Sequence, residues 1–238
     1  MDSSLQKTGA NLPAKPTPRG LEEQGSREDL IIPRAKLLQA LSPEVIEDGK
    51  SFQPGLLINS VTKEILPSTF VPIFRFFNWA RFNPRNSKDP NFNPDFGPGG
   101  LIWRSTDPLD ARVISEGKFG PNGERPLAVK FINFFSMFPG VPMPVIVSFS
   151  SSSIKAGQQL NSMAQFSGDD MFATSYELTA KLESNDKGTY YVLRVKKGAS
   201  VKGTDTFRQA EAWYEEYKPK KIQMHEEGEE TDTESAPF

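Results

Sequence analysis

The sequence predicts a β-rich α+β domain, most economically a small barrel with two or three covering helices and disordered tails. Three observations carry this reading. About seven or eight short runs rich in Val, Ile, Phe and Tyr are separated by Gly, Pro, Asn and Asp. Two of those runs flank Asn185-Asp186-Lys187-Gly188, the clearest hairpin signal of the chain. Helical spacing of apolar residues occurs in only two or three stretches.

Taken in order, LIIP reads as extended, and RAKLLQALSPEV as a short helix or turn, because Leu37, Leu38 and Leu41 have helical spacing and Pro43 stops it. LLINSVTKEIL predicts two strands around a bend at Asn59 to Lys63, and FVPIFRFF, Phe70 to Phe77, is a strong strand. Asn83 to Gly100 holds four Pro, four Asn and three Gly in 18 residues, which neither a helix nor an interior strand tolerates. It is a long surface loop, and loops of this length inside a compact domain are usually functional or disordered.

LIWRS is a strand, and GKFGPNGERP a turn-rich connection. LAVKFINFFSM, Leu127 to Met137, is a strand whose alternation places Val129, Phe131, Asn133 and Phe135 opposite Lys130, Ile132 and Phe134. PVIVSFS follows it through a PGVP turn, and SSSIKAGQQLNSMAQF is a helix with Ile154, Leu160 and Met163 on one stripe. After the hairpin SYELTAKLES/TYYVLRVKK, a last helix from Thr204 to Tyr217 carries Phe207, Ala210, Trp213, Tyr214 and Tyr217 on its apolar side.

Residues 1–28 are interrupted by Pro and Gly and are too polar to offset their ordering entropy, so a disordered tail is expected there. The domain spans residues 29–224. Residues 225–238, HEEGEETDTESAPF, hold six acids and no Lys or Arg, which leaves 28 basic against 24 acidic residues in positions 1–224, a net of +4. A mildly basic body with an acidic interaction tail suits a polyanion partner; a tail that only solubilises the chain is the other reading.

The chain has no Cys and a single histidine, His225, in the charged tail. Ser-His-Asp and Cys-His catalysis, zinc knuckles and His-ligated metals therefore cannot be built. GPGG and KFGPNG match neither phosphate-binding glycine motif, and Asp169-Asp170 reads as a turn or cap. A non-enzymatic protein without cofactor or metal is expected, carboxylate–Mg2+ nuclease chemistry being the residual enzyme reading. No run of about 18 apolar residues exists to cross a membrane, and the N-terminus lacks the apolar core of a secretory signal. The expected location is the cytoplasm.

The most unusual stretch is Phe70 to Arg104, with nine of the chain's 26 aromatics, five basic residues and two acids in 35 residues. Unpaired bases stack on aromatic faces while Arg and Lys neutralise phosphates. The candidate nucleic-acid-binding residues are Arg75, Trp79, Arg81, Phe82, Arg85, Trp103, Arg104 and Lys130. Phe70, Phe74 and Phe76 alternate as core residues do, whereas Trp79, Phe82, Phe92 and Phe96 lie among Asn, Arg, Pro and Gly, where a core is hard to build. A weaker group is Phe134 and Phe135 with Tyr190, Tyr191 and Arg194. The same aromatics would also serve an assembly arm.

The ending Ser235-Ala236-Pro237-Phe238 after six acids resembles the C-termini of bacterial and phage single-stranded DNA-binding proteins. The resemblance implies an oligonucleotide-binding-type barrel. It also implies that Pro237 and Phe238 dock replication or recombination proteins, with the acidic tail competing with DNA for the basic groove. A terminal aromatic suits an apolar pocket while its carboxylate meets a basic group. VSFSSSSIKA, YELTAK and NDKGTYYVLRV look like parts of small replication-module proteins of tailed phages. The expected function is sequence-nonspecific binding of single-stranded DNA in phage replication or recombination, RNA being compatible too, with homo-oligomerisation open. The alternative is a non-enzymatic assembly or virion scaffold protein with an aromatic docking loop.

Overall fold

The structure, a computed structural model, describes residues 32–185 and 188–218. The expected tails at 1–28 and 225–238, with Pro237 and Phe238, lie outside those residues. Strands β1 (Ala35–Leu37) and β2 (Leu57–Asn59) form a small antiparallel pair. The main sheet is antiparallel and six-stranded. It contains β3 (Thr69–Phe82), β4 (Leu101–Ser105), β5 (Ala128–Met137), β6 (Val145–Phe149), β7 (Thr174–Asn185) and β8 (Gly188–Ser200). Its path runs β6-β5-β3-β7-β8, with β4 paired to β3 beside that path.

Helix α1 (Pro43–Glu47) opens with the proline that the sequence reading uses as a stop. Leu37 lies in β1 instead of in a helix. Pro43 sits where its missing N–H has no intrahelical partner to lose, and its fixed φ starts the turn. Helix α2 (Ala111–Glu116) has no counterpart in the sequence reading; Asp110 caps it, accepting from the Arg112 N–H at 2.9 Å. Helix α3 (Ile154–Phe166) and helix α4 (Asp205–Tyr217) match their expected spans, and Thr204 caps α4 through the Phe207 N–H.

The sheet carries a core on each face. On one side Phe70, Ile132, Phe134, Val147, Phe149, Leu178 and Leu193 pack with Ala156 and Leu160 of α3. Gly157 lets α3 approach this closely, because a Cβ there would meet the Phe149 Cβ at 2.6 Å. On the other side Val71, Ile73, Phe74, Phe135 and Ile146 pack with Ala210 and Trp213 of α4. Phe70 and Phe74 therefore face opposite ways, contrary to simple alternation. The register of β3 on β5 shifts between Pro72 and Phe74, and this bulge inverts the parity.

The expected barrel is not closed. The sheet ends at β6 and β8, and residues 32–39 and Ser153 link those edges: the Ile146 N–H donates to the Pro33 carbonyl at 2.8 Å, and the Ser153 hydroxyl accepts from the Leu193 N–H at 3.0 Å. Further along, the Gln39 side chain donates to the Tyr191 carbonyl (3.0 Å) and accepts from the Tyr191 N–H (2.8 Å), standing in for one residue of a neighbouring strand. One bridge and two side chains are not a ladder, but they blunt both edges against unwanted pairing.

Glu44 on α1 ties this lid together, accepting from Lys36 of β1 at 3.1 Å and from Lys63 after β2 at 2.9 Å. Burial acts to raise its carboxyl, and hydrogen bonds from Lys63 and Lys36 overcome this, holding it at about 2 against an ordinary 4.5. A depressed carboxyl stabilises the fold fully above pH 4.5 and loses that contribution as the pH falls towards 2. Glu44→Gln is expected to remove this part of the acid transition and to cost about 1–3 kcal/mol at neutral pH, measured by urea unfolding across pH 2–7.

Candidate functional site

The 14-residue β3 positions most of the candidate residues. Directly opposed residues of antiparallel strands share a face. Pairing of Arg75 with Phe134, Phe77 with Ile132, Trp79 with Lys130 and Arg81 with Ala128 puts Arg75, Phe77, Trp79, Arg81 and Lys130 in one row on the α3 side of the sheet. Trp103 joins them through its pairing with Arg81. Phe82 and Arg104 do not. Arg104 pairs with Ala80 on the other side, and Phe82 packs edge-on against Phe131 there, at 6.3 Å.

Within the row, Trp103 is 9% exposed. Helix α2 covers it. The Trp103 indole N–H donates to Glu116 at 3.0 Å, the other oxygen of Glu116 accepts from Arg81 at 2.7 Å, and the Arg112 guanidinium lies 5.1 Å from the Trp103 ring. Arg112 is in turn held by Asp110 at 2.8 Å. Hydrogen bonds from Arg112 keep the Asp110 carboxyl well below the usual carboxylate range. Trp103 and Arg81 are thus the floor of the row and are already engaged within the fold.

Phe77 and Trp79 are half-buried and Lys130 is exposed. The Lys130 ammonium stands 5.1 Å from the Phe77 centroid and 5.5 Å from that of Trp79, with the Arg75 guanidinium 5.6 Å from Phe77. Neither Arg75 nor Lys130 forms an ion pair among the described residues. Two half-buried rings with two cations that lack an acidic partner among the described residues make a cationic surface suited to an anionic, aromatic ligand. Phe77 escapes the sequence reading, although its i, i+2 spacing from both Arg75 and Trp79 was the available signal.

The loop from Asn83 to Gly100 is irregular, as expected, but internally braced. Asn83 is 2% exposed; its amide donates to the carbonyls of Asn93 (2.9 Å), Phe96 (2.7 Å) and Gly97 (3.2 Å) and accepts from the Asn93 N–H (2.8 Å). Arg85 is exposed at the root of this loop, beside Gly99. Phe92 and Phe96 are half-buried. Of the weaker group, Phe134 and Phe135 are fully buried, Tyr191 is held by Gln39, and Arg194 pairs with Glu183. These four are engaged within the fold, and Tyr190 is half-buried.

The opposite face of β3 and β5 is occupied by a buried polar chain. Ser148 donates to Asn133 at 2.7 Å, and Asn133 donates to Asn78 at 2.6 Å. Among the described residues there is no group of three or more His, Cys, Asp or Glu placed to hold a metal ion. None of their helices is long and apolar enough to cross a membrane.

A family model described as Pam3 phage gp34-like protein matches residues 8–223. The chain belongs to this phage-associated family. No curated protein and no solved structure matches it. The match spans every described element, so the row on β3 is part of the family domain.

Two outcomes follow from the bracing. Asn83→Ala leaves several loop carbonyls without a donor and should cost about 2–4 kcal/mol, with faster amide hydrogen exchange confined to residues 84–100. Glu116→Ala should speed solvent exchange of the Trp103 indole N–H in NMR spectra and lower stability by about 1–2 kcal/mol.

Proposed function

We infer that the chain binds single-stranded nucleic acid without sequence preference along the row Arg75, Phe77, Trp79 and Lys130, in phage DNA replication or recombination. The observation that carries this reading is the clustering of the half-buried Phe77 and Trp79 rings with Lys130 and Arg75, neither of which has an ion-pair partner among the described residues. Alternate residues on a strand are about 7 Å apart, so Phe77 and Trp79 offer successive platforms, each stacked base contributing roughly 1–3 kcal/mol. Phosphates meet Lys130 and Arg75, with exposed Arg85 extending the charge along the loop.

Trp103 and Arg81 support the row from beneath and make no contact with bases. Phe82 and Arg104 lie outside the footprint. The likeness to oligonucleotide-binding barrels then rests on a sheet face carrying aromatics and cations, with the acidic tail and Phe238 as the partner-recruiting element. Membership of a phage family supports the setting.

The assembly reading keeps one specific support. Leu109, Ile114, Phe119 and Leu127, on and around α2, are all exposed. A virion or scaffold interface would bury them.

Titration of a fluorescent oligo-dT of about 30 nucleotides at several salt concentrations tests the proposal. Binding should weaken with salt, and Lys130→Ala should reduce the log–log salt slope by about 0.7. Trp79→Ala with Lys130→Ala is expected to weaken binding by tenfold or more with an unchanged circular dichroism spectrum, whereas Phe82→Ala should leave it unaltered. No binding at low salt, with concentration-dependent self-assembly, would transfer the function to the apolar surface around α2.

A further inference from the structure

The β7–β8 hairpin outruns the rest of the sheet. β8 pairs with β7 along its whole length, from Thr174 to Asn185. On the other edge of β7, β3 reaches only Tyr176 and Glu177. One further bond follows there, from the Leu178 N–H to the Ser68 carbonyl at 2.7 Å. The chain before β3 then leaves β7, because the Leu66 N–H donates to the Leu57 carbonyl of the small sheet at 2.8 Å. In an antiparallel strand both backbone groups of alternate residues point to the same edge. Leu178 faces the β3 edge, so Ala180, Leu182 and Ser184 face it too. Their N–H and C=O groups have no backbone partner on that edge among the described residues.

This edge is accessible and carries its own complement. Lys181, Leu182 and Ser184 are exposed, Leu182 at 52%, while Ala180 and Glu183 are half-buried. Glu183 pairs with Arg194 of β8, and Lys181 has no ion-pair partner among the described residues. If a second β7 runs antiparallel with the two Leu182 residues opposed, Lys181 of each copy stands opposite Glu183 of the other, and Ala180 opposite Ser184. The outward-pointing residues are then directly opposed, and each such pair exchanges two hydrogen bonds, about six in all. Lys181 and Glu183 form the closer, non-hydrogen-bonded pairs, with Cα atoms about 4.5 Å apart. Moving the axis by one residue sets Lys181 against Lys181 or Glu183 against Glu183, which opposes like charges. The register centred on Leu182 satisfies backbone and charge together.

We propose that the free edge of β7 joins two copies of this chain as an antiparallel β7–β7 pair centred on Leu182. The product is a continuous four-stranded ribbon, β8-β7-β7-β8. Leu182 is opposed to Tyr191 within each copy, so an apolar row Tyr191-Leu182-Leu182-Tyr191 crosses the ribbon. A two-fold pairing closes on itself, and association stops at the dimer. Five residues a side are far fewer than a standard interface uses, so the dimer is weak, half-formed at about 100 μM. The edge shares no residue with the proposed nucleic-acid row and does not rest on that reading.

Sedimentation of the full chain from about 1 to about 300 μM should show a monomer–dimer equilibrium, with amide exchange at Ala180, Leu182 and Ser184 slowing as the dimer fills. Lys181→Glu leaves only acids at the two charged positions, and Glu183→Lys only bases. Each variant alone should dimerise tenfold or more weakly. An equimolar mixture of the two should dimerise at least as well as the parent chain, since every pair between copies is then of opposite sign. Trp79→Ala with Lys130→Ala should leave the dimer unchanged, so failure of the nucleic-acid reading and failure of this one are distinguishable. A monomer throughout the range would overturn the proposal, as would dimers indifferent to both charge reversals, a mixture no better than either variant, or protection outside β7. Dimerisation abolished by Phe119→Ser and not by Lys181→Glu would move the interface to the apolar surface around α2.

Discussion

The bulge between Pro72 and Phe74 in β3 governs what the two faces of the sheet become. Before it, Phe70 points to the α3 core; after it, Phe74 points to the α4 core. Strict alternation from Phe70 would have sent Arg75, Phe77 and Trp79 to the α4 side of the sheet. With the shift they join Ile132 and Lys130 on the α3 side, at the margin of the α3 core, where Arg75, Phe77 and Trp79 stay half-buried and Lys130 is exposed. β3 also holds the sheet together, since β4, β5 and β7 all pair with it. A change to this one strand is transmitted to both cores and to the row.

The same strand sets what is free and what is engaged. Trp79 and Trp103 belong to the same aromatic-rich stretch, Phe70 to Arg104, yet the indole of Trp103 is bound by Glu116 of α2 and is 9% exposed. Arg81 is drawn into the same contact. The far end of the row keeps its cations, because no acid of the described residues pairs with Arg75 or Lys130. Acidic groups collect on α4 and the 3-10 turn instead. Arg75 lines both the row and the groove that holds these acids, so the cationic and acidic surfaces meet at this residue.

Much of this was legible in the residues. The β7–β8 hairpin, the face assignment along β5, the spans of α3 and α4 and the irregular loop from Asn83 to Gly100 follow from periodicity and turn chemistry. The assignment of individual candidates did not. The bulge beside Pro72 inverts the face that alternation from Phe70 assigns to Arg75, Phe77 and Trp79, and Pro72 inside the strand was its one sequence mark. α2 is six residues long, too short for an apolar stripe, although Asp110 before it and Gly117 after it were available as end signals. Without α2 the burial of Trp103 is invisible. The contact by which Gln39 covers the β8 edge at Tyr191 spans 152 residues of sequence, and no local pattern encodes it.

The central claim is that nucleic acid lies across Phe77, Trp79 and Lys130 on the α3 side of β3. An NMR titration with a short oligo-dT tests it most directly, because each tryptophan indole reports its own environment. The account predicts large shifts for Trp79, Phe77 and Lys130, with the Trp103 indole and the Phe131 ring on the opposite face nearly unmoved. Shifts concentrated around Phe82, Phe131 and Arg104, or no shifts at low salt, would contradict it.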